Sequence, residues 1–355
     1  MVARIPVVLL AGVDPDAMAR TMVGLQFDLP GTVACRHTID VERGVLTRTV
    51  SDLGGAVEVV EIPLEHACVT CAIREDILPT LERLAQDGRW QSIVAHLPVA
   101  APPAQICSAL AWDTRRARHL RIASVVTAVN GRTPGHDLLG DDLLAERGHH
   151  CAHDDRRGVG EVLAAMIEYA DVIAFDDEPD PVTRGLVRTL ARPDAAVVDG
   201  VHGLGGEILL GRLHQHERTH AWISPTRREA LPDVRATGTW RVDLQSLQPF
   251  HPHRLLESID RLGTGAHRSR GCFWLPTRPG RALQWDGAGG QLSIGDHAAW
   301  CGRRAFTRIV LTGVGAAPEH LRSAFAAMLL APGEAVARSG EDGFEPWLGP
   351  LREVA

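Results

Sequence analysis

Cys68 and Cys71 stand two residues apart in the stretch H-A-C-V-T-C, with His66 just ahead of them. That spacing lets two thiolates reach one tetrahedral ion, and sulfur ligands favour zinc or copper(I). Two thiolates do not complete a zinc shell, so further ligands are required. His66 is the nearest candidate, with Glu65, Cys35 and His37 as weaker ones. The same spacing occurs in disulfide-exchanging pairs, where the first cysteine opens a helix directly. Two ordinary thiols packed against a sheet are the third reading. Two histidine-bearing stretches lie further on. In L-H-Q-H-E-R-T-H, His214, His216 and His220 alternate as a strand would need to present a metal face, although a polar loop carrying histidines fits better. In R-G-H-H-C-A-H, His149, His150, Cys151 and His153 have ligand chemistry in loop-like surroundings. A fourth stretch, V-V-L-L-A-G-V-D-P-D-A-M-A-R-T from Val7 to Thr21, has the strand-turn-helix layout of a nucleotide entrance. It lacks the lysine and the hydroxyl that such an entrance uses.

These groups need a scaffold, and the apolar pattern predicts one. Residues 5–11 are a continuous apolar run of the kind that forms a parallel strand covered on both faces, and a helix follows over 16–25. Further strands are predicted at 58–62, 92–97, 122–129, 171–175 and 195–198, with helices at 76–85, 162–169 and 183–190. Strands alternating with helices predict an α/β domain over residues 1–200, a parallel sheet flanked by helices. Residues 201–225 read as a linker. Short strands at 236–242, 271–275, 281–285, 290–294 and 308–311, with helices at 253–262 and 318–328, predict a smaller α+β domain over 226–335. Residues 336–355 read as a tail.

Length and composition narrow the function. At 355 residues the chain has room for two packed domains. A formal charge of -7 argues against direct DNA binding by bulk electrostatics. No apolar run approaches the roughly 20 residues of a membrane span, so no membrane partner is expected. The first apolar run is too short for a signal-peptide core and leads straight into Asp14 and Asp16, which predicts a cytoplasmic protein. Seven cysteines, an odd number in a long chain, point to free thiols or a metal site rather than a disulfide framework. Trp222, Trp240, Trp274 and Trp285 lack basic residues concentrated beside them and read as core or interface residues.

Four stretches carry a resemblance. H-A-C-V-T-C-A-I-R-E-D-I-L-P-T-L (66–81) resembles the cysteine motif and following helix of the CobW-like metal-homeostasis proteins, which belong to the P-loop GTPases. V-V-T-A-V-N (125–130), Q-P-F-H-P-H-R-L (248–255) and G-C-F-W-L-P-T-R-P-G-R-A-L-Q-W (271–285) resemble other parts of the same family, so the similarity spans both domains. It implies a P-loop NTPase-like sheet followed by a CobW C-terminal domain. Members normally hydrolyse GTP and are thought to hand zinc, cobalt or a related metal to a client. The family motif is Cys-x-Cys-Cys; Cys68 and Cys71 match its outer pair, and Thr70 replaces the inner one. Because the pair precedes I-R-E-D-I-L as in that family, metal is favoured over redox.

The nucleotide features of the family are missing. Gly12 matches the first glycine of the phosphate loop, Asp14 and Pro15 fall inside it, and Asp16 and Ala17 replace its Gly-rich turn. Met18 sits where lysine belongs and Ala19 where the hydroxyl belongs, while Arg20 and Thr21 lie one helical step further on. Asp14 suits a helix cap, Pro15 the first helical position, and Asp16 the positive end of the helix dipole. A helix end supplied with its own anions makes a poor anion site. The alternative is an unusual loop in which Arg20 takes the lysine's role. The family's strand ending in glutamate corresponds to I-V-A-H-L-P-V-A-A-P (93–102), which offers His96 and no acid. The guanine-reading motif should fall near F-D-D-E-P-D (175–180), where its asparagine and lysine are absent. The expectation is a non-hydrolysing member with no catalytic residues, no bound nucleotide and zinc as the suspected metal. The Cys-x-x-Cys version resembles the actinobacterial branch, some of whose members recruit a hibernation factor to ribosomes when zinc is scarce. That implies a protein partner, with a ribosome-associated factor as one expectation. An active GTP-dependent zinc metallochaperone and a metal-free adaptor are the rival readings.

Overall fold

The computed structural model describes residues 4–351 except 67, 114–117, 201–202 and 337–340. Its first strand, β1 (Ile5–Gly12), is buried from Val7 onward. Alternation along it divides the core into two layers. Val8 and Leu10 face Met18, Met22 and Leu25 of helix α1 (Pro15–Asp28). Val7 and Leu9 face the layer that holds Ile77, Leu81 and Leu163.

The chain continues through β2 (Thr32–Asp40), β3 (Val45–Asp52) and β4 (Gly55–Pro63). A short helix α2 (Val69–Ala72) runs through a π-helical stretch, Ile73–Ile77, into α3 (Leu78–Asp87). Then come β5 (Ser92–His96), α4 (Pro103–Trp112), β6 (Leu120–Val129), α5 (Pro134–Leu139) and α6 (Val159–Tyr169). The first sheet is completed by β7 (Val172–Phe175), α7 (Pro181–Leu190) and β8 (Ala196–Asp199). Its strand order is β4-β3-β2-β5-β1-β6-β7-β8.

From β2 to β8 the pairing is parallel, as expected, but β3 and β4 are joined to the edge in antiparallel fashion. The strand expected at 58–62 is therefore an antiparallel edge strand, and β2 and β3 were not anticipated. Polar residues interrupt both, Arg36 and His37 in β2 and Thr47, Arg48 and Thr49 in β3, so neither has the continuous apolar run that marks β1.

The stretch expected to be a linker contains two helices, α8 (Gly206–Gly211) and α9 (His216–Ile223), and α9 packs against α4 and α6. A second, wholly antiparallel sheet follows. Its strands are β9 (Thr239–Ser246), β10 (His267–Phe273), β11 (Arg281–Ala288), β12 (Gln291–Ala299) and β13 (Thr307–Val314), in the order β12-β11-β10-β13-β9. One face of this sheet packs with α10 (Pro252–Ser258), α11 (Asp260–Gly263) and α12 (His320–Met328) around Phe250, Phe273, Trp285 and Phe325. The sheet also contacts α6 and α7 of the first unit. At that junction Glu168 of α6, almost fully buried, accepts two 3.0 Å hydrogen bonds from Arg268 of β10.

Candidate functional site

β1, β5 and β6 lie side by side and end together, so the β1–α1 turn sits where open α/β sheets carry their ligands. Only Val13 and Asp14 separate the end of β1 from the first residue of α1. Asp14 caps the helix: its Oδ1 accepts from the Ala17 amide at 2.8 Å, and its carbonyl accepts from the Met18 amide at 3.1 Å. Its other oxygen, Oδ2, accepts from Asn130 Nδ2 at 3.0 Å. Pro15 holds the first helical position and Asp16 is exposed in the first turn. The Ala17 amide at the helix start is thus taken by the chain's own carboxylate. Met18 is fully buried and turned into the sheet core rather than toward the turn, and Ala19 is half-buried. Arg20 is ion-paired with Asp176 at 2.8 Å, and Thr21 donates back to the Ala17 carbonyl. Neither points its chemistry at the loop.

His96, at the end of β5, is fully buried. Its Nδ1 is 2.9 Å from the Leu97 carbonyl, and its Nε2 has no partner among the described residues. Burial first, and then the Arg36 charge, hold its pKa down at about 4, so the ring is neutral near pH 7.

Cys68 and Cys71 do come together. Cys68 is the N-cap of α2, and its Sγ accepts from the Cys71 amide at 3.3 Å. Both are half-buried, and both are free thiols. The hydrogen bond to Cys68, followed by burial, raises the Cys71 thiol pKa above its ordinary value. The first cysteine therefore does open a helix directly, which removes the geometric ground on which a redox pair was set aside. His66 and Glu65 are exposed, and the His66 carbonyl accepts from the Cys68 amide at 2.8 Å. Thr70, Ile73 and Arg74 border a groove shared with α4 and α9. Among the described residues, no group of three or more His, Cys, Asp or Glu side chains stands ready to hold a metal.

The weaker candidates have partners of their own. His37 is buried, with Nε2 3.0 Å from Asp76 Oδ2, and Cys35 Sγ lies 3.9 Å from the same ring nitrogen. Burial works against the charge on Asp76, but His37 and Arg48 hold its carboxyl below the usual range. Burial pushes the Cys35 thiol up to about 12, so it is no nucleophile at neutral pH.

His214 is not on a strand; it precedes α9, on which His216 and His220 sit one turn apart. It is nearly fully buried, with Nδ1 2.8 Å from Asp171 and Nε2 3.2 Å from the Tyr169 hydroxyl, which also meets His216. These histidines join α9 to the first sheet. Cys151 is buried, and its thiol donates to the Val99 carbonyl at 3.2 Å. Burial pushes it up to about 11, and Cys68 is close enough to contribute. An Arg157–Asp155 ion pair, with the Cys151 amide bonded to Asp155, orders this loop. Sequence reasoning missed one further feature, a cluster of arginines where the two units meet. Its only local signal is the alternation of Arg268 and Arg270 on β10, which places both on one face.

Comparison with known proteins adds relatives to this geometry. A family model described as the cobalamin synthesis protein cobW C-terminal domain matches residues 240–329. A zinc chaperone of Mycobacterium tuberculosis is 30% identical over 322 residues, which cover 86% of this chain and 76% of that protein. Zinc-regulated GTPase metalloprotein activator 1 of Dictyostelium discoideum is 21% identical over 274 residues, 72% of this chain and 57% of that protein. Among solved structures, the Zn(II)-bound YjiA GTPase from E. coli is similar at 16% identity, over 92% of this chain and 99% of that one, with a TM-score of 0.35.

Proposed function

The chain belongs to the CobW-like P-loop GTPase family, and from that premise we propose a zinc-linked binding or recruitment role without nucleotide hydrolysis. The carrying observation is the Cys68–Cys71 pair, two half-buried thiols on one helical turn, with the Cys68 sulfur accepting from the Cys71 amide. Two thiolates supply half of a tetrahedral zinc shell. In this proposal His66, exposed just ahead of the pair, is the third ligand, and a client's side chain completes the set. An open shell of this kind suits zinc carried as cargo better than zinc held as a fixed structural ion. The names of the relatives, a zinc chaperone and a zinc-regulated metalloprotein activator, support the same metal.

Absence of turnover is the second half of the proposal. It is supported by the Asp14 cap, by buried Met18 and by Arg20 being held on Asp176. We read residues 1–200 as the degenerate GTPase-like unit and 201–225 as the connecting segment that carries α8 and α9. Residues 226–335 are read as the C-terminal domain and 336–355 as a tail. The setting proposed is the cytoplasm, and the partner a protein, with a ribosome-associated factor recruited in low zinc as the finer form of the reading.

Zinc analysis of the reduced full-length chain, beside the Cys68→Ala/Cys71→Ala variant, tests the metal. Near-stoichiometric zinc that the double variant loses is expected. Substoichiometric zinc in both overturns the reading in favour of a metal-free adaptor or a redox pair. Titration with GTP and magnesium tests the other half: saturable binding with turnover would make the chain a GTP-dependent metallochaperone.

A further inference from the structure

Where α6 and the segment after α9 meet the second sheet there is a cavity of about 270 Å³. Four arginines line it, Arg227, Arg268, Arg270 and Arg308, against two carboxylates, Glu168 and Asp286. Two of the four are already committed. Arg268 is satisfied by Glu168, Asp286 and the Gly287 carbonyl, and Arg308 makes a bidentate pair with Asp243 at 3.0 and 2.7 Å.

The other two are not. Arg270 shares Glu168 with Arg268 through a single 3.2 Å bond from Nη1, and its Nε and Nη2 have no partner among the described residues. Among the described residues, the Arg227 guanidinium bonds only the exposed Glu229, at 3.2 Å, and the Ala230 carbonyl, and its Nη1 is buried with no partner. Both guanidiniums gather at one ring. Arg227 lies 4.2 Å from the centroid of Trp222 and Arg270 lies 5.9 Å from it, and the indole Nε1 is also buried without a partner among the described residues.

Every unsatisfied group here is a donor, and two of them, Arg227 Nη1 and Trp222 Nε1, are buried, where leaving a donor unpaired is costly. Burial, with the Arg270 and Arg308 charges adding to it, lowers the Arg227 pKa, and burial, with the Arg268 and Arg308 charges adding to it, lowers that of Arg270. A ligand that cancels this arrangement carries negative charge and several acceptor oxygens on one centre. Guanidinium forks match such oxyanions bidentately. A carboxylate offers two oxygens, whereas a phosphate offers three terminal ones to two forks and an indole N–H. The cavity volume is near the lower end of small-molecule sites, and Trp222, Ile223 and Val310 supply apolar wall.

We propose that this cavity binds a small phosphate monoester, its phosphate gripped by Arg227 and Arg270 beside Trp222. The site is distinct from Cys68 and Cys71, and its binding does not depend on the zinc reading.

Calorimetric titration of the full-length chain at low salt with glycerol 3-phosphate, inorganic phosphate and acetate tests it. Saturable millimolar or tighter binding of both phosphate probes is expected, with acetate weaker. Arg227→Gln and Arg270→Gln should each weaken binding by about tenfold or more, the loss of a charge-assisted fork. Binding beside Trp222 should also change the tryptophan fluorescence of the chain, and Trp222→Phe should retain much of the affinity while losing that change. Arg270 touches Glu168, so if Arg270→Gln does not fold, the half-buried Arg227→Gln carries the comparison. No saturable response to either phosphate probe, acetate binding as tightly as glycerol 3-phosphate, or unchanged affinity in a folded Arg227→Gln would each overturn the proposal.

Discussion

Replacing Met18 by lysine puts back the residue a phosphate loop requires, and the structure predicts damage rather than rescue. Met18 is fully buried, packed with Val8, Leu10, Met22 and Leu25 under the sheet. A lysine there either charges among apolar neighbours or enters neutral. Entering neutral near pH 7 from an ordinary pKa of about 10.4 costs about 5 kcal/mol. Snorkelling of the amine along α1 lowers that, and lost methionine packing adds to it, so Met18→Lys should cost ~3–5 kcal/mol. That is a large part of the ~5–15 kcal/mol that holds a domain together. Met18→Leu conserves volume and should cost less than ~1.5 kcal/mol. Urea melts followed by circular dichroism would measure both, and titration with GTP and magnesium would run alongside. A Met18→Lys chain as stable as the parent that binds GTP would refute the reasoning. It would mean that the side chain reaches the turn and that the Asp14 cap yields to phosphate.

Three other perturbations follow from the same contacts. Asp14→Ala removes the cap of α1 and the acceptor of Asn130, and should lower stability by ~1–2 kcal/mol, whereas Asp14→Asn keeps a capping oxygen and should cost ~0.5 kcal/mol or less. Equal losses in denaturant midpoint for the two would show that no cap is at work. His96 is held near pKa 4 in the folded chain, against an ordinary value of about 6.5, so between those values the unfolded chain binds more protons. Stability is therefore intact above about pH 6.5 and falls by ~3 kcal/mol as pH drops to about 4. His96→Leu should flatten that window relative to the parent in melts across pH, and identical slopes would contradict the burial argument. Arg268→Met leaves Glu168 and Asp286 at the junction of the two units without their main cation, which should cost ~3–5 kcal/mol by thermal melting. Adding Glu168→Gln should recover part of the loss; a further loss instead would show that the pair is not the source.

What could be read from the sequence was chemistry that acts over a few residues. The continuous run in β1 is legible because a strand covered on both faces has no polar position to interrupt it. Asp14, Pro15 and Asp16 are legible because a cap acts on amides within one turn. β2 and β3 escaped because Arg36 and His37 in the one, and Thr47 and Arg48 in the other, break up their apolar pattern. His214, His216 and His220 read best as a polar loop, with a strand as the alternative, because the alternation of His214 and His216 was weighed and the helical spacing of His216 and His220 was not. The partners that decide the role of each site residue lie far away in the chain. Asp14 meets Asn130 across 116 positions, Arg20 meets Asp176 across 156, and Arg268 meets Glu168 across 100.

Gly12 shows how this changes the meaning of a residue. In the sequence it reads as the remnant of a phosphate loop. In the fold, a Cβ at that position would meet the Ala128 carbonyl at 2.8 Å and Met18 Cγ at 2.9 Å. One of those contacts belongs to the neighbouring strand β6, and the other is made by the side chain that stands in the lysine's place. The glycine is thus required by packing alone, with no phosphate in the account. A chain that had lost nucleotide binding would still keep it, because removing Gly12 would push apart β1, β6 and α1, the same three elements that carry the core. Its presence is therefore evidence for the fold and neutral on the activity, and the weight of a functional claim falls on Cys68 and Cys71, where capping α2 uses only one of the two sulfurs.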